Sequence, residues 1–256
     1  MSANPQAAAT SPDRTVVLPG NFNAHARTVP TGNGWTWLAN GWAIFKRAAG
    51  LWIGMVVVLA LIFIVAHLIP FIGAVASQIL WPVFIGGLML VCRTIDEGGE
   101  AQFSQLFAGF QHRTGRLVVL GVVWLVLSFL IVAVVVGITG VQVFALMGAG
   151  GAPDQLVGVA VTAVIAFLLI LALMLPLVMA TWFAPALIVF HEMGVGAAMK
   201  ASFVGCLKNI LPFLLYGLLA LIAGVVASIP FGLGWLVLLP VLTASVYTSY
   251  RDIYFE

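Results

Sequence analysis

The chain has 256 residues, 63% of them hydrophobic and only 7% charged, with a formal net charge of +2. Soluble domains carry roughly 25% charged residues, so water is excluded as the solvent for most of this sequence. A transmembrane β-barrel is excluded too, because barrel strands alternate polar and apolar residues while these runs are apolar all round. With a mean hydropathy of +1.18 and runs that reach the roughly 20 residues a helical crossing needs, the sequence predicts an all-α polytopic membrane protein.

In chain order, residues 1–34 lack a basic segment leading into an apolar one, and predict a disordered cytoplasmic tail and not a cleaved signal peptide. Residues 35–256 predict a single transmembrane domain. It opens with "WTWLANGWAIFKRAAG", where Trp35, Leu38, Trp42 and Phe45 recur at helical spacing and predict an interfacial helix. Spans follow at 51–69, interrupted by His67, and at 72–92. Phe103, Leu106, Phe107 and Phe110 predict a second interfacial helix before a third span at 117–138. Residues 156–190 are free of charge, and as one helix they would measure about 52 Å, well beyond a hydrocarbon core of about 30 Å. Pro176 and Pro185 divide them, since an interior proline removes a hydrogen bond and bends the helix. The prediction is a span at 157–180 and a bent continuation through "WFAPALIVF". A third interfacial segment, "MKASFVGCLKNILPFLLYG", leads into spans at 210–229 and 232–250.

All ten Lys and Arg fall on one side of this six-span arrangement, and Asp154 is the only charge in the opposite loops. Cytoplasmic loops collect Lys and Arg, so both termini are expected in the cytoplasm. The first and last hairpins turn at matching prolines, in "HLIPFIG" and "ASIPFGLG". Eleven residues after a second proline, Pro82 or Pro240, each returning helix ends in an arginine, Arg93 or Arg251, followed by Asp96 or Asp252. The chain thus reads as three copies of an interfacial helix plus a hairpin, the middle copy carrying an enlarged outer loop and no hairpin proline.

The blocks "LFAGF", "WFAPALIVFHEM", "ASFVGCLKNILPFLLYGLL" and "SVYTSYRDIYFE" resemble a family of bacterial inner-membrane proteins of the YciC-like kind. More distantly, the three-hairpin plan is similar to the membrane domain fused to some glycerophosphodiester phosphodiesterases. The resemblance covers about residues 35–256 and implies a proteobacterial inner-membrane location and six helices. It supplies no catalytic residues, and the phosphodiesterase catalytic domain has no counterpart here.

No constellation of residues predicts catalysis. "HEMGV" at 191–195 begins like a zinc-protease helix but places Val195 where the second histidine ligand would stand. Cys92 and Cys206 have no metal-site spacing and are expected to be small packing residues. No Asp, Glu, Lys or Arg lies mid-span, which disfavours ion-coupled transport. His67, near the outer end of the first span, is an ionisable group inside the membrane, and one that can stay neutral or reach the surface. The stronger candidate is the cytoplasmic polar cluster of Arg93, Asp96, Lys208, Asn209, Arg251 and Asp252, with Arg93 and Arg251 facing one another's acids if the repeats are pseudo-symmetric. The expected function is non-enzymatic and lipid- or envelope-associated, with anionic headgroups of the phospholipid bilayer as partners. No cofactor, metal or nucleic acid is expected, and a homo-oligomer or a membrane-protein partner is allowed. The alternative is a channel or uncoupled transporter for a small solute or ion; an intramembrane enzyme has least support.

Overall fold

In a computed structural model describing residues 21–148 and 153–255, the apolar runs become helices: α1 (Asn33–Arg47), α2 (Ala49–His67), α3 (Ile72–Asp96), a 3-10 helix (Phe103–Phe110), α4 (Thr114–Gly148), α5 (Pro153–Trp182), α6 (Ala184–His191), α7 (Val195–Lys208), α8 (Ile210–Ser228) and α9 (Trp235–Tyr254). No strand forms among the described residues; a lone antiparallel bridge joins Phe22 to Phe255. The charge-free stretch breaks at Phe183, between α5 and α6, with Pro185 in the first turn of α6. Proline suits that position because the first-turn N–H has no helical partner to lose.

Five stretches are long and apolar enough to cross a membrane: Ala49–His67, Ile72–Asp96, Thr114–Phe144, Val157–His191 and Ile210–Ser228. That is one fewer than the six expected. The helix that falls short is α9, whose second half carries Thr243, Ser245, Thr248, Ser249, Arg251 and Asp252. Its polar residues are covered in part by neighbours, with Ser245 and Ser249 buried and the others half-buried. A helix covered by protein does not need an apolar surface on every side.

Two further expectations are corrected and a third is refined. The enlarged outer loop at 137–155 is helix over its described residues, because α4 continues to Gly148 and α5 begins at Pro153; this stretch has no charge until Asp154, and a glycine such as Gly140 costs only about 1 kcal/mol in a helix. On the first interfacial helix the predicted aromatic face is divided, Phe45 packing on protein and the tryptophans staying open. Trp35 and Trp42 are exposed, and α1 buries Gly34, Trp37, Gly41 and Ile44, one position away, together with Phe45. Glycine decides this: a Cβ on Gly41 would lie 2.7 Å from the Val241 carbonyl oxygen and 2.8 Å from the Ser245 nitrogen. Lastly, residues 22–29 do not belong to a free tail but are fastened to the bundle, as set out below. Residues 1–20 lie outside the described residues.

Hydrogen bonds between distant residues bring the charged helix ends to one level. Arg47 reaches the Ile95 carbonyl at the end of α3, and Arg251 in α9 meets Asp96. Arg113 and Arg116, at the start of α4, meet Glu192 just past α6. Tyr254 donates to the Ala201 carbonyl of α7 at 2.9 Å. Over this end lies an aromatic layer that includes Phe183, Phe190, Tyr247, Tyr250 and Tyr254, all buried. The α2–α3 and α8–α9 turns lie at the opposite end.

Candidate functional site: a polar pocket at the charged end

The site begins with α1 and α9 running antiparallel. Asn33 bonds Asp252, the Thr248 hydroxyl donates to the Trp37 carbonyl at 2.9 Å, and Gly41 rests on Val241 and Ser245. Beside this seam the helices diverge, and the last turn of α3 contributes Asp96. The gap is a cavity of about 520 Å³ lined by Asn33, Thr36, Asn40 and Arg47 of α1, Asp96 of α3, and Tyr247, Thr248, Arg251 and Asp252 of α9. That volume falls within the range of small-molecule sites.

The two carboxylates are held differently. Asp96 Oδ2 accepts from the Tyr247 hydroxyl at 3.1 Å and from Arg251 Nη1 at 3.0 Å. Asp252 uses both oxygens: Oδ1 pairs with Arg27 Nη2 at 3.0 Å, and Oδ2 accepts from Asn33 Nδ2 and Trp37 Nε1, each at 2.7 Å. Arg27 Nε also donates to the Asp252 main-chain carbonyl at 2.6 Å. Burial opposes the charge of Arg251, but the Tyr247 hydrogen bond and the Asp96 charge outweigh it and raise its pKa above the ordinary guanidinium value. Arg47 differs again. Its Nη1 donates to the Ile95 carbonyl at 3.1 Å, and it forms no salt bridge among the described residues.

Of the residues expected to cluster, Asp96, Arg251 and Asp252 meet in this pocket. The predicted crossing of the two echoed ends is half present: Arg251 meets the acid that follows Arg93, but Arg93 does not meet Asp252. Arg93 pairs instead with Glu97 one turn on, at 2.7 Å, and its guanidinium lies 6.0 Å from the centre of the Phe190 ring. Lys208 and Asn209 serve the N-terminal segment. Lys208 Nζ donates to the carbonyls of His25 (2.8 Å) and Ala26 (3.0 Å). Asn209, fully buried, accepts from the Val29 N–H at 2.8 Å and donates to the carbonyls of Arg27 and Gly205, each at 2.9 Å. Asn209→Ala strands these buried groups and should cost about 2–3 kcal/mol, read as a lower thermal midpoint in one detergent. His67 sits at the far end, its Nδ1 2.7 Å from the Phe63 carbonyl oxygen, beside a cavity of about 430 Å³ lined partly by Ser77, Gln78 and Trp81.

His191 and Glu192 of "HEMGV" are both engaged by neighbouring side chains. The imidazole stacks on Phe22 with ring centres 3.4 Å apart, and Glu192 pairs with Arg113. Among the described residues no group of three or more His, Cys, Asp or Glu is placed to hold a metal ion. Both cysteines are buried, and burial pushes the Cys206 thiol up to about 12. Because the thiolate is the nucleophile, neither should react with a maleimide at neutral pH until the protein is denatured; labelling of the folded protein would contradict this packing.

Sequence reasoning missed Asn33, Thr36, Asn40, Arg47, Trp37 and Tyr247. The signal was available on α1, where Asn33, Thr36, Asn40 and Arg47 recur at intervals of three, four and seven, a polar stripe of helical period. The aromatic stripe beside it is stronger and drew the reading away.

Comparison with known proteins agrees with the membrane architecture. A probable inner membrane protein of Burkholderia thailandensis is 30% identical over 242 residues, covering 86% of this chain and 89% of that protein. This chain belongs to the same inner-membrane protein family. No family model and no solved structure matches it. Such a location accords with five long apolar helices whose lipid-length windows are mostly unburied by protein, which leaves their apolar surfaces to the bilayer.

Proposed function

We propose that this protein binds a phospholipid headgroup, without catalysis, in the pocket between α1, α3 and α9, and that the pocket faces the cytoplasm. The observation that carries the reading is Arg47: a guanidinium lining a concave polar site, with no acid paired to it among the described residues. The exposed Trp35 and Trp42 on the same helix support it, because tryptophan concentrates at the headgroup level of membranes. The one-sided basic charge favours the cytoplasmic side. Six crossings, with both chain ends on that side, belong to the proposal. The residue preceding α8, Asn209, and the last turn of α9, Asp252, both bind the 27–33 segment, so α9 retraces the length of α8. The YciC-like resemblance and the three-unit plan also stand as part of this reading; α1, the 3-10 helix and α7 each precede a hairpin, as that plan requires.

A channel or uncoupled transporter is the second reading, favoured by the crevice beside His67. Against it, Trp52, Met55, Val83 and Met89 fill the interior between that crevice and the charged end, all essentially inaccessible.

The side is tested with Asn40→Cys, readable in the native background because Cys92 and Cys206 are buried. A membrane-impermeant maleimide should label it only after the cells are opened, and labelling in intact cells would overturn the assignment. Phospholipid extracted from gently purified protein should drop by about one equivalent in Arg47→Gln. An unchanged lipid content would remove Arg47 from the site.

A further inference from the structure

We infer that the crevice beside His67, at the end of the bundle opposite the charged one, binds an uncharged membrane-dissolved molecule through a hydroxyl group, a quinol ring fitting it best. This site is separate from the headgroup pocket and does not depend on it. The crevice measures about 430 Å³, is walled by Phe63, Trp81 and Leu125, and carries the polar side chains of His67, Ser77 and Gln78. Small-molecule sites have that make-up, mostly apolar with a few polar groups that fix orientation.

The polar groups set the kind of ligand. His67 Nδ1 lies 2.7 Å from the Phe63 carbonyl oxygen, and a carbonyl only accepts, so Nδ1 carries the hydrogen. In the neutral ring Nε2 is then an acceptor, and no described residue donates to it. Ser77 donates its hydroxyl hydrogen to the Gly73 carbonyl at 2.7 Å and keeps its oxygen as an acceptor. The Gln78 amide forms no hydrogen bond to the described residues and offers one oxygen and two N–H groups. Acceptors thus come from three side chains and donors from one. An O–H satisfies the acceptors, whereas a ketone, ester or ether can use only the amide N–H. No Asp, Glu, Lys or Arg lines the crevice, so a phosphate or an ammonium would enter an apolar site without a counterion.

Depth explains why the ligand comes from the membrane. Gln78 stands fifteen residues before Arg93, which marks the charged end of α3. That is about 22 Å along the helix, inside a hydrocarbon core of about 30 Å. An amide left without a partner there is costly, and lipid tails offer none. Trp81 is 48% exposed, and its indole meets the Phe63 ring with centres 5.6 Å apart and planes tilted by 47°. The pair forms an aromatic corner on which a flat ring can stack. A partner helix fits less well, because helix contacts in membranes are built on small residues and this crevice is rimmed by Phe63 and Trp81.

The test is native mass spectrometry of delipidated full-length protein given equimolar decylubiquinol and its dimethyl ether, which has the same ring and tail but no O–H. The quinol should be retained over the ether by a factor of about ten, the worth of one hydrogen bond to an otherwise unsatisfied acceptor. Gln78→Leu and His67→Phe should each lower quinol retention to that of the ether. Gln78→Leu should do so with an unchanged thermal midpoint, because its amide holds nothing in the protein. Arg93→Gln, at the other end, should leave the ratio intact. Equal retention of quinol and ether, retention unchanged in both crevice variants, or retention of neither compound would overturn the inference. Equimolar dioctanoylglycerol separates an aliphatic hydroxyl from a phenolic one. Displacement of the quinol would overturn the ring assignment and keep the hydroxyl site, and continued retention upholds both. A wild-type dimer that Gln78→Leu converts to a monomer would overturn the ligand in favour of a contact between two copies.

Discussion

Asp252→Ala is expected to lower stability by about 3 kcal/mol, because it strands several donors at once. The carboxylate accepts from Asn33 and Trp37 on α1 and pairs with Arg27 in the N-terminal segment. Trp37 is 1% exposed, so its indole N–H loses its acceptor with little water to replace it. For a chain of this size that loss corresponds to a fall of roughly 6–10 °C in thermal midpoint. Intrinsic tryptophan fluorescence during heating, in one detergent, reads it. Asp252→Asn keeps the shape and one acceptor oxygen, and should cost about a third as much. Limited trypsin digestion supplies a second check, since release of the segment should make cleavage after Arg27 faster in Asp252→Ala than in wild type. A midpoint within about 1 °C of wild type would mean that α1 is held by apolar packing alone.

Gly41→Val should be at least as damaging, for a different physical reason. The added Cβ would meet the Val241 carbonyl oxygen and the Ser245 nitrogen, which are backbone atoms of a buried helix and cannot swing aside. α1 must then back away from α9, opening the contacts of Trp37 and Ile44; overpacking of this kind costs about 1–3 kcal/mol, and lost burial adds to it. The internal control is Gly50→Ala. A Cβ there meets nothing within 4 Å, and alanine favours helix over glycine by about 1 kcal/mol, so this variant should be neutral or slightly more stable. Gly41→Val should also abolish lipid retention, since the pocket wall is α1 itself. If both glycine variants behave alike, the close approach of α1 to α9 is wrong.

The contrast between these glycines shows what one sequence makes legible. Gly50 and Gly54 have the small-xxx-small spacing of a close helix contact, yet a Cβ on Gly54 would meet only the Phe103 side chain, at 3.7 Å. Gly34 and Gly41 have no such four-residue spacing and make the close approaches, because their partners, α8 and α9, lie far along the chain. The apolar runs were legible because length and hydropathy are local properties. The break near Pro185 was legible because proline acts on its own turn. The Arg–Asp echo put Arg251 and Asp96 in one cluster, and in the structure the two pair at 3.0 Å.

The N-terminal segment was not legible. Arg27 lies 225 residues from Asp252, in a stretch without helical period, and composition alone reads such a stretch as a tail. Lys208 and Asn209 were expected in the polar cluster, but their partners are main-chain groups of residues 25–29, which carry no side-chain signature. α9 was read as a lipid-crossing helix on its apolar first half. Its second half is polar because α1 and α3 cover it, and that covering is a tertiary fact.

The account turns on whether a lipid occupies the pocket in the native membrane. Native mass spectrometry of the protein gently extracted from its own membrane, beside Arg47→Gln and Arg93→Gln, decides it. One phospholipid at fixed stoichiometry, retained in Arg93→Gln and lost in Arg47→Gln, is the predicted result. A lipid-free wild-type protein, or a lipid equally retained by both variants, would contradict it.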